Sequence, residues 1–201
     1  MTKYNDSWMA EEEARRAWMA DNSLYRDEFE HASCGVGLVV SIDGKPSRKV
    51  VENGIDALKA VWHRGAVDAD GKTGDGAGIH VQIPPAFFYD QIRRTGHEPR
   101  MDELIAVGQV FLPRTDFGAQ ETCRTIVETE ILRMGYTIYG WRGVPVNIEC
   151  LGEKANATRP EIEQIILTNS KGVDEETFER ELYVIRRRIE KAAFAAGVSG
   201  L

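Results

Sequence analysis

Among the 201 residues, Cys34 is the one whose surroundings suit nucleophilic chemistry. It follows Ala32 and Ser33, precedes Gly35, and opens the apolar run CGVGLVV that ends at Val40. Cleavage of the Ser33–Cys34 bond would leave one residue carrying both a thiol and a free α-amine. Such an amine titrates near pH ~8, close enough to neutrality to act as general base for its own side chain. The other two cysteines, Cys123 on a helix face and Cys150 after an apolar strand, read as small buried hydrophobes. Three widely spaced cysteines without a C-x-x-C pair, and four scattered histidines, support neither a disulfide framework nor a zinc ribbon. No metal site is expected.

The second chemical candidate is the loop GAVDADGKTGDGAG from Gly65 to Gly78, which holds five glycines in fourteen residues. Gly71-Lys72-Thr73 has the ending of a phosphate-binding P-loop, but that motif needs a glycine where Ala66 stands, and its Lys-Thr should open a helix. Gly74, Gly76 and Gly78 alternate and precede a strand pattern, which also fails the dinucleotide fingerprint. Two readings stand: a tight surface loop, or a backbone that must approach substrate or another segment closely.

The elements that position these residues follow from periodicity. Residues 34–40 form an apolar run with β-branched Val36, Val39 and Val40, bounded by the turn Asp43-Gly44, which predicts a buried strand. Ser47 can cap a helix running to about Trp62, with Val51, Ile55, Leu58 and Trp62 on one stripe that should pack on a sheet. Ile79 to Ile83 predicts a strand that Pro84-Pro85 terminates before a short helix through Arg93. Strands are also predicted over 105–112, 136–141 and 162–168. Helices are predicted over 119–134, closed by Gly135, and over 174–196, stopped by Gly197. This mixed order predicts an α+β layered fold.

Composition narrows the function classes. A net charge of −7 with 28% charged residues describes a soluble globular chain, and the absence of a Lys/Arg cluster on a recognisable reading helix argues against general nucleic-acid binding. No apolar run approaches the roughly 18 residues that cross a membrane, and residues 1–33 lack a signal-peptide core, so a cytoplasmic location is expected. Those first 33 residues carry eight acids and four bases, a net −4, and read as an acidic, propeptide-like leader with a short helix ended by Asn22-Ser23.

Taken together and in order, CGVGLVV from Cys34, HRGAVDAD from His63 and TGDGAGIHVQIP from Thr73 closely resemble the class II glutamine amidotransferase domain that begins the glutamate synthase large chain. The resemblance continues through RRRIEKAA near residue 186 and covers almost everything after residue 33. It implies an N-terminal-nucleophile (Ntn) hydrolase, an αββα sandwich of which residues 34–201 form the N-terminal half. Cys34 matches the nucleophile, and the leader would be removed to expose it. Glutamine would be the substrate, and the released ammonia would convert 2-oxoglutarate into glutamate elsewhere in the parent enzyme. The resemblance implies no cofactor in this fragment, but FMN and an iron–sulfur cluster in the parent. The partners it implies are the remainder of the large chain and a small electron-donating subunit.

Arg64 falls in the family's HRG segment, a loop near the nucleophile; it reads either as a substrate-binding or active-site-loop residue or as a solvated loop charge. His63 reads as a packing or loop-ordering residue and Asp75 as a turn stabiliser. The family also needs an arginine that clamps the glutamine α-carboxylate and an Asn-Gly pair that forms the oxyanion hole. Neither is found here, since Asn53-Gly54 sits inside a predicted helix. Losing one oxyanion donor can cost about 100-fold in rate, so the expectation is a truncated chain with little glutaminase activity alone. The alternative is a non-catalytic homologue that keeps the fold as a binding or regulatory module.

Overall fold

The computed structural model describes residues 6–23, 36–61, 67–74 and 76–198, excluding the side chains of residues 6–9 and of Glu12. The chain divides into two compact units, Met1–Gly65 and Ala66–Leu201.

The first unit contains two helices, α1 (Asp6–Asn22) and α2 (Arg48–Ala60). Asn22 and Ser23 end α1 where expected, their side chains turning back to the carbonyls of Trp18 and Met19. Ser47 caps α2 as expected, its Oγ accepting from the Val50 amide at 3.3 Å. Val51, Ile55 and Leu58 share one stripe, but no residue of α2 is buried, so the expected packing on a sheet is not observed. The helix ends at Ala60, and Trp62 lies outside the described residues. The strand predicted over 34–40 is not formed in its described part. Val36 and Leu38 are 95% and 86% exposed, and no described segment pairs with them. A β-branched run fits a pleated, half-buried surface; without a neighbouring strand it has no ladder to join. The turn that follows is present, with the Gly44 amide donating to the Ser41 carbonyl at 3.1 Å and Gly44 at φ +67°.

The second unit is α+β, the class expected, and its described residues hold one antiparallel sheet. In order they are α3 (Pro85–Arg94), β1 (Ile105–Leu112), α4 (Phe117–Arg133), β2 (Thr137–Gly143), a 3-10 turn (Ile148–Cys150), α5 (Glu153–Thr158), β3 (Glu161–Thr168) and α6 (Glu175–Ala195). The strands lie in the order β1-β3-β2 with β3 central, in the register Val107↔Ile166 and Ile138↔Leu167. The 3-10 turn and α5 were not anticipated. The strand predicted at 79–83 is another correction: the segment is unpaired, and Ile79 and Val81 are 47% and 50% exposed.

Alternation along β3 explains why the sheet is covered on both faces. Ile165 and Leu167 enter one core with Leu112, Val127, Ile131 and Ile185, formed with α4 and α6. Ile166 points the other way, into a smaller core with Tyr139, Phe88 and Ile92 of α3. Each fully buried aliphatic side chain contributes roughly 1.5–3 kcal/mol. Contact is close enough to demand glycine at 108, where a Cβ would lie 2.9 Å from Ile165 Cγ2.

Caps set the helix limits. Asp116 accepts from the Ala119 amide and Asp174 from the Thr177 amide, both at 2.9 Å. Gly135 and Gly197 take φ +82° and +70°, allowing the amides of Tyr136 and Val198 to reach back to the carbonyls of Ile131 and Ala193. Buried Glu130 ties α4 to α6 through Arg188 at 2.6 Å and also holds Arg133. Arg124 ties α4 to β3 through Glu163 at 2.6 Å.

Candidate active site

Cys34, His63, Arg64 and Asp75 all lie outside the described residues. The best-defined neighbour is the turn that follows the HRG segment. Val67 and Gly74 form a single antiparallel bridge, and the Asp68 amide donates to the Thr73 carbonyl at 2.7 Å. Gly71, at φ +70°, turns the tip and donates its amide to the Asp68 carbonyl at 2.9 Å. Inside the turn, Asp70 Oδ1 accepts from the amides of Lys72 and Thr73 at 2.9 and 2.7 Å, and Oδ2 accepts from Thr73 Oγ1 at 2.5 Å. The hydroxyl of Thr73, followed by the Thr73 and Lys72 amides, holds the Asp70 carboxyl well below the usual carboxylate range.

This geometry settles the character of Gly71-Lys72-Thr73. In a P-loop the amides would face a phosphate; here two of them are taken by Asp70. The turn also docks on the start of α5. Lys154 Nζ reaches Asp68 Oδ1 and Oδ2 at 2.8 and 2.7 Å, and Thr73 Oγ1 accepts from the Ala155 amide at 3.4 Å. Sequence reasoning missed this contact, because nothing in the residue pattern links position 68 to position 154.

The remaining residues singled out earlier separate clearly. Cys123 is buried in the α4 core as expected, and burial pushes its thiol pKa up. Cys150 corrects the reading of a buried hydrophobe: it is exposed at the end of the 3-10 turn, with Sγ 3.0 Å from the Asn147 carbonyl. Asn53-Gly54 lies within α2, as expected. Among the described residues no three His, Cys, Asp or Glu side chains gather as a metal site. An iron–sulfur cluster needs several cysteine thiolates; the two described cysteines, Cys123 buried in the α4 core and Cys150 exposed on the 3-10 turn, do not supply such a set. No described helix is long and apolar enough to cross a membrane.

The family profile of the glutamine amidotransferases class-II matches residues 34–199, beginning at Cys34. The chain belongs to the class II glutamine amidotransferases. This amidotransferase chain is 63% identical over 187 residues to the glutamate synthase (NADPH) large chain of Azospirillum brasilense, a match covering 93% of this chain and 12% of that one. It is 37% identical over 180 residues to the glutamate synthase (NADPH) large chain of Bacillus subtilis, covering 87% of this chain and 11% of that one. It is also 36% identical over 164 residues to the chloroplastic ferredoxin-dependent glutamate synthase of Spinacia oleracea, covering 82% and 10%. The amidotransferase thus spans about a tenth of the length of these relatives.

Proposed function

We propose that this chain is the nucleophile-bearing part of a glutaminase domain that supplies ammonia for glutamate synthesis. The observation that carries the reading is the family match that begins at Cys34 and spans residues 34–199. In the proposed reaction, removal of residues 1–33 exposes the Cys34 α-amine. The amine takes the thiol proton, and the thiolate attacks the carboxamide carbon of glutamine. The tetrahedral intermediate collapses as the α-ammonium returns the proton to the leaving nitrogen, so ammonia departs and a Cys34 thioester remains. Water, deprotonated by the same amine, hydrolyses the thioester to glutamate and regenerates the thiol.

Arg64 contributes as a substrate-binding residue of the active-site loop, and the α-carboxylate clamp and oxyanion hole come from parts of the glutaminase domain other than the residues described above. Without those donors the 201-residue chain alone turns glutamine over slowly or not at all. In the whole enzyme, ammonia aminates 2-oxoglutarate in the cytoplasm. Reducing equivalents come from FMN and an iron–sulfur cluster held elsewhere, together with a small electron-donating subunit.

The test is Cys34→Ala in the full-length enzyme. Glutamine-dependent glutamate synthesis should fall by at least about 10³-fold, the scale of removing a covalent nucleophile, while synthesis from added ammonia stays measurable. Retained use of glutamine would remove Cys34 from the mechanism.

A further inference from the structure

The two edges of the sheet differ. β2 carries Arg142, two glycines and a register shift between Ile138 and Gly140, features that blunt an edge against further pairing. β1, with the sequence IAVGQVFL, has eight residues without charge or proline and an unbroken register against β3. The Asn169 amide donates to the Leu104 carbonyl at 2.8 Å, which makes 104 and 169 a hydrogen-bonded pair. Such pairs alternate along an antiparallel ladder, so Ile105, Val107, Gln109 and Phe111 aim their backbone groups away from β3, where no described strand lies. Beside that edge, on the face covered by α4 and α6, is an apolar cavity of about 440 Å³ lined by Val110, Val127, Ile131, Leu182, Ile185 and Ile189. The polar side chains of its lining already have partners: Arg186 pairs with Glu190 at 3.2 Å, and Gln109 accepts from Gln164 at 2.9 Å. The cavity therefore suits aliphatic side chains better than a small polar ligand.

We propose that the segment immediately following Leu201 in the full-length chain forms a fourth strand, which pairs antiparallel with β1 and seats its apolar face in the cavity between β1 and α6. Chain topology selects this occupant. β1 and β2 both run antiparallel to β3, which lies between them, so β1–α4–β2 is a crossover between parallel strands, a connection that is almost always right-handed. α6 leaves β3 and packs on the same face as α4, around the same core. Because β3 runs opposite to β1, a crossover through α6 has the same hand only if it moves the opposite way, past β1. A strand that follows α6 in this sheet is thus directed to the free edge of β1, not to that of β2, and runs antiparallel to β1. The result is the four-stranded split β-α-β motif, in the order fourth strand, β1, β3, β2. The proposal requires that the chain continue past Leu201, as in relatives where the matched region makes up 12% and 11% of the length, and is independent of the roles of Cys34 and Arg64.

Two measurements on the full-length enzyme test it. The first is residue-resolved amide hydrogen exchange: the outward amides of Val107, Gln109 and Phe111 should exchange at least about 100-fold more slowly than in an unstructured peptide, as paired amides of a sheet do. The second identifies the occupant. Arg186 is 65% exposed and its pairing with Glu190 is a surface contact, so Arg186→p-benzoylphenylalanine places a photo-crosslinker beside the cavity at little cost in stability. Mass spectrometry after irradiation should find the adduct on a peptide starting within about 15 residues after Leu201, the reach of a short connection and one strand. Exchange of the three amides at the unprotected rate overturns the proposal, because β1 is then an edge in the whole enzyme. Capture of any other segment of the chain, of a second copy or of another subunit overturns it as well, since the cavity then has a different occupant.

Discussion

The β1-β3-β2 scaffold and the segments at 36–42 and 79–83 have similar apolar residues and opposite fates. In the sheet, Ile165, Ile166 and Leu167 are all buried, whereas Val36, Leu38, Val40 and Ile42 are all exposed. Composition does not separate them, since both are aliphatic and β-branched. What separates them is the availability of partners: β3 has a strand on each side and helices over both faces, and the other two segments pair with no described strand. An apolar run therefore states a demand for burial, and the fold of other residues decides whether that demand is met.

Substitutions can break or sharpen this contrast. The largest effect is expected for Ile166→Ala at the centre of the sheet, which should lose about 2–5 kcal/mol, as buried aliphatic truncations do; urea denaturation of the chain measures it. Next comes Gly108→Val. Its branched side chain would enter the space of Ile165 Cγ2, and overpacking of this kind costs roughly 1–3 kcal/mol. Gly135→Ala should cost about 1 kcal/mol, because φ +82° at the α4 terminus disfavours a Cβ. At the other end of the scale, Val40→Ser should change unfolding by less than about 0.5 kcal/mol, since its side chain is already in water. A large loss there would show that the segment is packed during folding.

The charged links give a pH signature of known sign. Burial alone would raise the Glu130 carboxyl, but the hydrogen bonds from Arg188 and Arg133 outweigh it and hold the pKa below its ordinary value. Lys171 and then Tyr136 lower Glu181 in the same direction. Groups with depressed native pKa values stabilise fully above the ordinary carboxylate range, about pH 4–5, and lose that contribution as pH falls through the native values. Melting temperature should therefore fall as pH drops below about 5, and Glu130→Gln should flatten that acid-side decline. An unchanged slope in the variant would show that Glu130 is not part of it.

Much of the second unit was legible in the sequence because its signals are local. Ile105 to Leu112 reads as a strand by its own composition, Gly135 and Gly197 mark helix ends by the conformation only glycine takes easily, and Phe178, Leu182, Ile185 and Ile189 fall on one face by period alone. The failures were non-local. Residues 79–83 carry the same strand pattern without a described partner, Cys150 ends a 3-10 turn instead of following a strand, and the seat of Thr73 on Gly152 joins positions seventy-nine residues apart. The family was legible for another reason: three short motifs in fixed order leave few alternatives, and the match from residue 34 to 199 agrees with them. Cys34 and Arg64 themselves lie outside the described residues, so their roles rest on motif and chain position.

The most direct test of the account is mass spectrometry of the full-length enzyme after treatment with a glutamine-like diazo-ketone, reading the N-terminal residue and the modified residue together. The account predicts a chain that begins at Cys34 and carries one adduct on the Cys34 thiol. A chain that retains residues 1–33 yet is fully active, or an adduct on any other residue, would contradict it.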